Sequence, residues 1–290
     1  MNAAVAPRYL RPATLGAALD ALGAPGARAI AGGTDWMVDA RAGRPGAALV
    51  VNVLRLAELR GIAADGAWID LGGATTVAEL LRDPLVRAGA PLLWQAADRF
   101  ASPLVRTRAT LAGNVCNASP AADLTLALVA LGAEIDVHSA SGCRRVPVAA
   151  FVFGPRHTDL QHGELVVRVR VPVAAAGAFH RFEKSGTRPA LEISAVAVAT
   201  AMTFSGHVVR SARIALGAVA PRPMLATSAM AVLQDQCLDE RTVDAAVLAA
   251  ATQCQPIDDV RGSARYRKRL VAAFVRRALL AARSHAEEAR

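Results

Sequence analysis

Apolar positions along the chain change period several times, and each change predicts an element. Leu15, Ala18, Leu19 and Leu22 recur at helical spacing, opened by Pro12-Ala13-Thr14 and closed by Gly23. Ala27–Ala31 reads as a short buried strand that ends at Gly32-Gly33. Thr34 and Asp35 are N-cap residue types for a helix over Trp36–Arg41, and Leu49–Val53 predicts a second strand. Strand, glycine turn, helix start is the order that aims backbone N–H groups at an anion.

Trp68–Leu71 predicts the next strand, and Thr76-Val77-Ala78-Glu79 has the capping-box spacing of a helix start. Asp83-Pro84 opens a further helix with Leu85, Leu92, Leu93 and Ala96 on or near its apolar face. Ser102–Ala118 carries few helix cues. Ser119 as N-cap and Pro120 at the first helical position then start a helix that runs to Gly132. Glu134–His138, Arg144–Pro147 and Leu165–Val171 alternate like strands.

Beyond Val173, Phe179–Glu183, Ile193–Phe204 and Val208–Val219 predict three antiparallel strands, the last two joined at Ser205-Gly206. After Pro221-Arg222-Pro223 the pattern is helical over Met224–Gln234, Asp239–Cys254 and Gly262 to about Ala286. The expected class is α+β in three parts, 1–53, 54–172 and 173–290, with no internal repeat.

The chain is 53% hydrophobic over 290 residues, with mean hydropathy +0.31, and can bury a substantial core. No apolar run approaches the roughly 18–20 residues that span a bilayer. The N-terminal Met1–Arg8 stretch lacks a basic-then-apolar secretion pattern, so a cytoplasmic location is expected. Cys116, Cys143, Cys237 and Cys254 are scattered without a C-x-x-C pair, which argues against an iron–sulfur or zinc site in this chain and against a disulfide framework.

A net charge of +9 raises the question of nucleic acid. The basic residues are spread, apart from Arg265–Arg269 and Arg276-Arg277, and aromatics are only 4%, too few for a base-stacking platform. No nucleic-acid partner is expected. Lys184 and Lys268 are the only two lysines.

The chemistry sits in two distant glycine-bearing loops, Ala31-Gly32-Gly33-Thr34-Asp35 and Thr110-Leu111-Ala112-Gly113-Asn114. Glycine admits positive φ and close approach, so each loop could cradle a pyrophosphate with main-chain N–H groups. Neither G-x-G-x-x-G nor the P-loop pattern is present. The second loop runs into Asn117, Ser119 and Asp123, which could hydrogen-bond to phosphate or sugar oxygens. For Asp123, a first-turn carboxylate that complements the helix dipole is the competing structural reading.

The run Ser102–Asp123, with Tyr9-Leu10-Arg11-Pro12, the Ala31–Asp35 loop, Phe182-Glu183-Lys184 and Ile193-Ser194, resembles the FAD-binding medium subunits of molybdenum hydroxylases. That group includes carbon monoxide and xanthine dehydrogenases. The resemblance covers nearly the whole chain. It implies a two-part FAD-binding module (PCMH/VAO-like) followed by a C-terminal domain with a three-stranded antiparallel sheet and helices. It also implies FAD on this chain, with Ala31, Gly32, Gly33, Thr34 and Asp35 holding the pyrophosphate and Thr110, Gly113 and Asn114 completing the phosphate site. Asn117 and Asp123 would meet the sugar-like portions, Val166 would line the flavin with its backbone, and Lys184 would sit near the isoalloxazine ring. No catalytic residue and no metal ligand is implied in this chain. A large subunit would carry the molybdenum cofactor and a small subunit two [2Fe–2S] clusters, with NAD⁺, a quinone or O₂ as the soluble electron acceptor.

The sequence departs from the family pattern at Ala112, where a glycine is common, and at Trp36, where an aliphatic is common. Core packing is the expectation for Trp36, and Cys116 is expected to be a packed residue rather than a nucleophile. Two alternatives remain open on the sequence alone. One is a self-sufficient FAD-dependent oxidase or reductase of similar fold; the other is a basic binding protein.

Overall fold

The computed structural model describes residues 7–44, 46–186 and 193–288; most of the N-terminal stretch read for a secretion pattern lies outside them. Three larger sheets organise the described residues. The first is parallel, with Leu49–Asn52 between Arg8–Leu10 and Ala27–Ile30. Its covering helix, Leu15–Leu22, has Thr14 as N-cap, accepting from the Ala17 N–H, and buries Ala18, Leu19 and Leu22.

The second sheet is antiparallel and five-stranded, in the order Ile62–Asp65, Trp68–Gly72, Leu165–Pro172, Glu134–Ser139, Gly142–Pro147. Ile62–Asp65 is an edge strand that periodicity did not predict. It is short, with one half-buried and three exposed residues, so it shows no apolar alternation. The helix expected after Asp83 is two helices, Pro84–Gly89 and Pro91–Arg99. Pro91 has no N–H to continue the first helix and takes the first position of the second. The expected capping box at Thr76 and Glu79 is complete in both directions.

The third sheet holds Phe179–Ser185, Val196–Ser205 and Val208–Gly217, with Met224–Leu225 as a short fourth strand where three strands were expected. Strand Val196–Ser205 is buried on both faces by alternating residue size. Val196 and Val198, with Ile214 and Leu216 of the next strand, pack into the core that holds the C-terminal helices Glu240–Gln253 and Ala264–Glu288. Ala197, Ala199 and Ala215 pack into the other core, which contains helix Asp123–Leu131. Alanine on that face lets the helix approach closely. Gly217 extends the effect: a Cβ there would come within 2.9 Å of the Leu126 side chain.

Helix Asp123–Leu131 is the hub. Every residue from Asp123 to Ala130 is buried, as an apolar-all-round helix must be. It begins at Asp123 rather than Ser119. Ser119 instead makes a turn, its hydroxyl accepting from the Ala121 N–H. Gly132 closes the helix in the left-handed conformation at φ 70°. The last carbonyls are taken by Arg213 of the third sheet, whose Nε donates to Ala130 O at 2.7 Å and Nη2 to Val129 O at 2.9 Å. Burial lowers the pKa of Arg213.

Replacing Arg213 by Met should therefore leave the Ala130 carbonyl short of a donor, with Val129 keeping only the Gly132 N–H, and lower the unfolding free energy by about 1–3 kcal/mol. Urea denaturation of the two proteins checks this, and equal stabilities would mean that other donors serve the helix end.

Candidate functional site

The first glycine loop packs against Arg108-Ala109, the segment that leads into the second. At Gly32 a Cβ would lie 1.8 Å from the Arg108 carbonyl oxygen and 3.1 Å from the Ala109 nitrogen. The backbones are in direct contact there, and only glycine fits. Gly33 follows at φ 75° and is the N-cap of helix Thr34–Arg41. Thr34 and Asp35 are thus helical residues rather than caps. No side chain caps this helix, and among the described residues no acceptor takes the N–H groups of Gly32, Gly33, Thr34, Asp35 or Trp36. Five bare donors at the positive end of a helix dipole suit a diphosphate.

The second loop is spent differently. Thr110 N-caps helix Leu111–Cys116, its hydroxyl accepting from the Gly113 N–H at 3.2 Å. The Leu111 and Ala112 N–H groups donate to the carbonyls of Thr75 and Gly73, both at 3.0 Å. These amides are already satisfied by protein, so the expectation of two equivalent main-chain cradles is corrected. The first loop offers N–H groups; the second is a locked wall that offers side chains. Asn114 shows the division of labour. Its side-chain oxygen accepts from the Thr125 N–H and hydroxyl at 3.0 and 2.9 Å, and its amide nitrogen has no partner among the described residues.

A third loop, Gly73–Thr75, was not singled out by the sequence, although its glycines were visible. Gly73 donates to Val167 O at 2.7 Å, and a Cβ there would meet Val166 O at 2.6 Å. Val166 is buried at a strand irregularity between Val166 and Arg168. Its carbonyl thus faces the loop that anchors Leu111 and Ala112. The methyl of Ala112, where the family pattern often has glycine, would be 3.1 Å from a Cβ on Gly73, so it is Gly73 that admits it.

Asp123 and Lys184 lie 61 residues apart and form an ion pair at 2.6 Å, with side chains 7% and 12% exposed. The Ser194 hydroxyl donates to the other Asp123 oxygen at 3.0 Å. Burial raises the Asp123 pKa, opposed by the Lys184 charge and the two hydrogen bonds. Asn117 reaches Asp35, whose pKa is raised by loss of solvation against the lowering field of Arg156. Trp36 is not a core residue: helix Thr34–Arg41 buries none of its residues, and the Arg28 guanidinium lies over the Trp36 ring at 5.6 Å. The Cys116 thiol is pushed up to about 12 by burial, which keeps it protonated and inert.

Arginines scattered in sequence come together beside Arg108. Arg55, Arg60, Arg82 and Arg108 line a cavity of about 520 Å³, with Glu79 as the facing carboxylate. Arg60 pairs with Glu79. The remaining positive charge borders the same loop that Gly32 touches, a field that draws an anionic ligand inward.

Residues 3–174 match the family described as the FAD binding domain in molybdopterin dehydrogenase, and residues 180–282 match the CO dehydrogenase flavoprotein C-terminal domain. The chain belongs to this FAD-binding family. The carbon monoxide dehydrogenase medium chain of Hydrogenophaga pseudoflava is 34% identical over 94% of this chain and 96% of its own length. The xanthine dehydrogenase FAD-binding subunit of Escherichia coli O157:H7 is 31% identical over 93% of this chain and 94% of its own. A solved carbon monoxide dehydrogenase chain from Hydrogenophaga pseudoflava superposes with a TM-score of 0.94 at 32% identity, covering 97% of this chain and 98% of that one. For a member of the family, the five bare N–H groups and the Gly32–Gly33 turn fit the FAD diphosphate.

Gly32→Ala should destabilise the protein by about 3 kcal/mol, because backbone rather than a side chain must yield, against about 1 kcal/mol for the positive φ at Gly33→Ala. Thermal unfolding of both variants tests this ranking, and a milder Gly32→Ala would mean that the loops are not held together.

A pH dependence follows from Asp123. Its folded pKa is raised, so the folded state keeps this proton to higher pH than the unfolded chain does, and the group's contribution falls as pH rises from about 4 through the folded pKa. Lys184→Met removes the opposing charge and raises that pKa further. Relative to the parent, the variant should lose more stability near pH 7 than near pH 4, as read by urea unfolding at both. An equal loss at the two pH values would contradict the coupling.

Proposed function

We propose that this chain is the FAD-carrying electron-transfer subunit of a three-subunit molybdenum hydroxylase. In this reading it works with a large molybdenum-cofactor subunit and a small subunit holding two [2Fe–2S] clusters. Electrons arrive from the iron–sulfur clusters and leave to NAD⁺, a quinone or O₂. The observation that carries the reading is the set of unclaimed N–H groups from Gly32 to Trp36 against the Arg108 backbone. Bound FAD supplies a redox centre that exchanges electrons singly or in pairs, which suits a junction between one-electron and two-electron partners.

The chain's own residues bind and tune. Ala31–Asp35 receives the diphosphate by main chain, with Thr110, Gly113 and Asn114 opposite. Asn117 and Asp123 serve the sugar-like portion, and Val166 lines the cofactor by its backbone. Lys184 supplies positive charge toward the ring, oriented by Asp123 and Ser194. We read the chain in three working parts, 1–53, 54–172 and 173–290. Among the described residues no helix is long and apolar enough to cross a membrane, and the four cysteines are free thiols, which supports a cytoplasmic location.

Native co-purification with metal analysis and a visible spectrum tests the assembly. Molybdenum, iron and flavin should elute together with this chain. A lone chain that oxidises a small substrate without partners would support the self-sufficient flavoenzyme instead. Within the site, Asn114→Ala should lower FAD retention after gel filtration, since it removes both a wall contact and the tie to Thr125. Lys184→Ala should retain FAD and shift its midpoint potential downward in a spectroelectrochemical titration; an unchanged potential removes the tuning role.

A further inference from the structure

Arg156 has no part in the loops, yet it touches both sides of the site. It sits in the tight turn between strands Val152–Gly154 and His157–Thr158, at φ 59°. Its N–H donates to the carbonyl of Ala118 at 3.1 Å. Ala118 is itself left-handed at φ 47° and lies just beyond Asn117. The Arg156 guanidinium reaches 117 residues back to the first loop's helix, where Nη1 and Nη2 grip the two oxygens of Asp39 at 2.6 and 2.9 Å. Arg44 pairs with the same carboxylate, and Asp35 lies one turn earlier on the helix, within the field of Arg156.

These contacts join two segments that are otherwise far apart in the chain. Helix Thr34–Arg41 offers the bare N–H groups, and the Asn117–Ala118 turn belongs to the opposite side. Non-glycine residues at positive φ persist only where surrounding contacts hold them, and here two such residues hold each other. The fork of an arginine on a carboxylate fixes distance and angle together, which a lysine cannot do.

We propose that Arg156 is a positioning residue for FAD: its grip on Asp39 and its backbone bond to Ala118 form a latch that slows release of the cofactor. The latch rests on the assignment of the diphosphate to the Gly32–Trp36 N–H groups. It differs from simple charge neutralisation. If Arg156 only screened Asp39 from the diphosphate, removing the Asp39 charge would tighten binding.

The test is the rate of FAD release from the full chain loaded with FAD, followed by the gain in flavin fluorescence at several salt concentrations. R156G keeps the left-handed turn without the guanidinium. D39N keeps size and removes the partner charge. Each should speed release by about threefold to tenfold, within the range of a forked, partly exposed ion pair. The double variant should match the single ones, and the parent's release should accelerate with salt while the variants' does not. R156K should recover only part of the effect. The unfolding midpoint of the FAD-free R156G chain should equal the parent's, which separates a latch from general destabilisation. Unchanged release in R156G, slower release in D39N, additive effects in the double variant, or a lowered FAD-free midpoint would each overturn the latch. A parent chain that takes up no FAD would refute the cofactor assignment itself and the latch with it.

Discussion

One contact sets the geometry of the site: the Gly32 backbone lies against the Arg108 carbonyl, where a Cβ would stand 1.8 Å from oxygen. Two segments 76 positions apart can share a cleft only because this position carries no side chain. With that contact made, Gly33 turns the chain through positive φ into a helix without a side-chain cap. The N–H groups at the start of that helix keep no protein acceptor among the described residues. The pattern resembles ordinary anion binding at a helix start, with a packed peptide in place of solvent on the far side.

Rigidity on that far side comes from donors the protein consumes itself. Leu111 and Ala112 bond to the Gly73–Thr75 loop, Gly113 to the Thr110 hydroxyl, and Thr125 to Asn114. These bonds couple the wall to helix Asp123–Leu131, buried from Asp123 to Ala130 within the core it shares with the second and third sheets. The C-terminal sheet thereby reaches the site through two points on that helix: Lys184 at its first residue and Arg213 at its last carbonyls. The site is a product of all three sheets, although only two glycine loops announce it.

Much of this was legible in the sequence, and the failures have physical causes. Helix Leu15–Leu22, the Thr76 capping box and the strands of the third sheet follow from periodicity and turn chemistry, because there local preference and burial agree. Ser119-Pro120 looked like a helix start, but its hydroxyl closes a turn and the helix waits for Asp123. The helices Pro103–Arg106 and Leu111–Cys116 are too short to show a period and are held by the loop bonds around them. The second loop's amides could not be known to be engaged, since their acceptors lie in a different loop. Arg156 carried no signal at all; its importance comes from contacts at long sequence separation.

The buried pair Asp123–Lys184 explains why one lysine persists in a chain that otherwise favours arginine. The Asp123 carboxylate takes Lys184 on one oxygen and Ser194 on the other. A planar guanidinium would seek both oxygens and displace the serine; a compact ammonium needs only one. The pair is net neutral, which limits the desolvation penalty of two ions that would each be expensive alone. Removing Lys184 takes the compensating charge from the buried Asp123 carboxylate. The arrangement therefore holds a buried positive group at little expense to stability, and the carboxylate that steadies it opens helix Asp123–Leu131, to which Asn114 of the second loop is tied through Thr125.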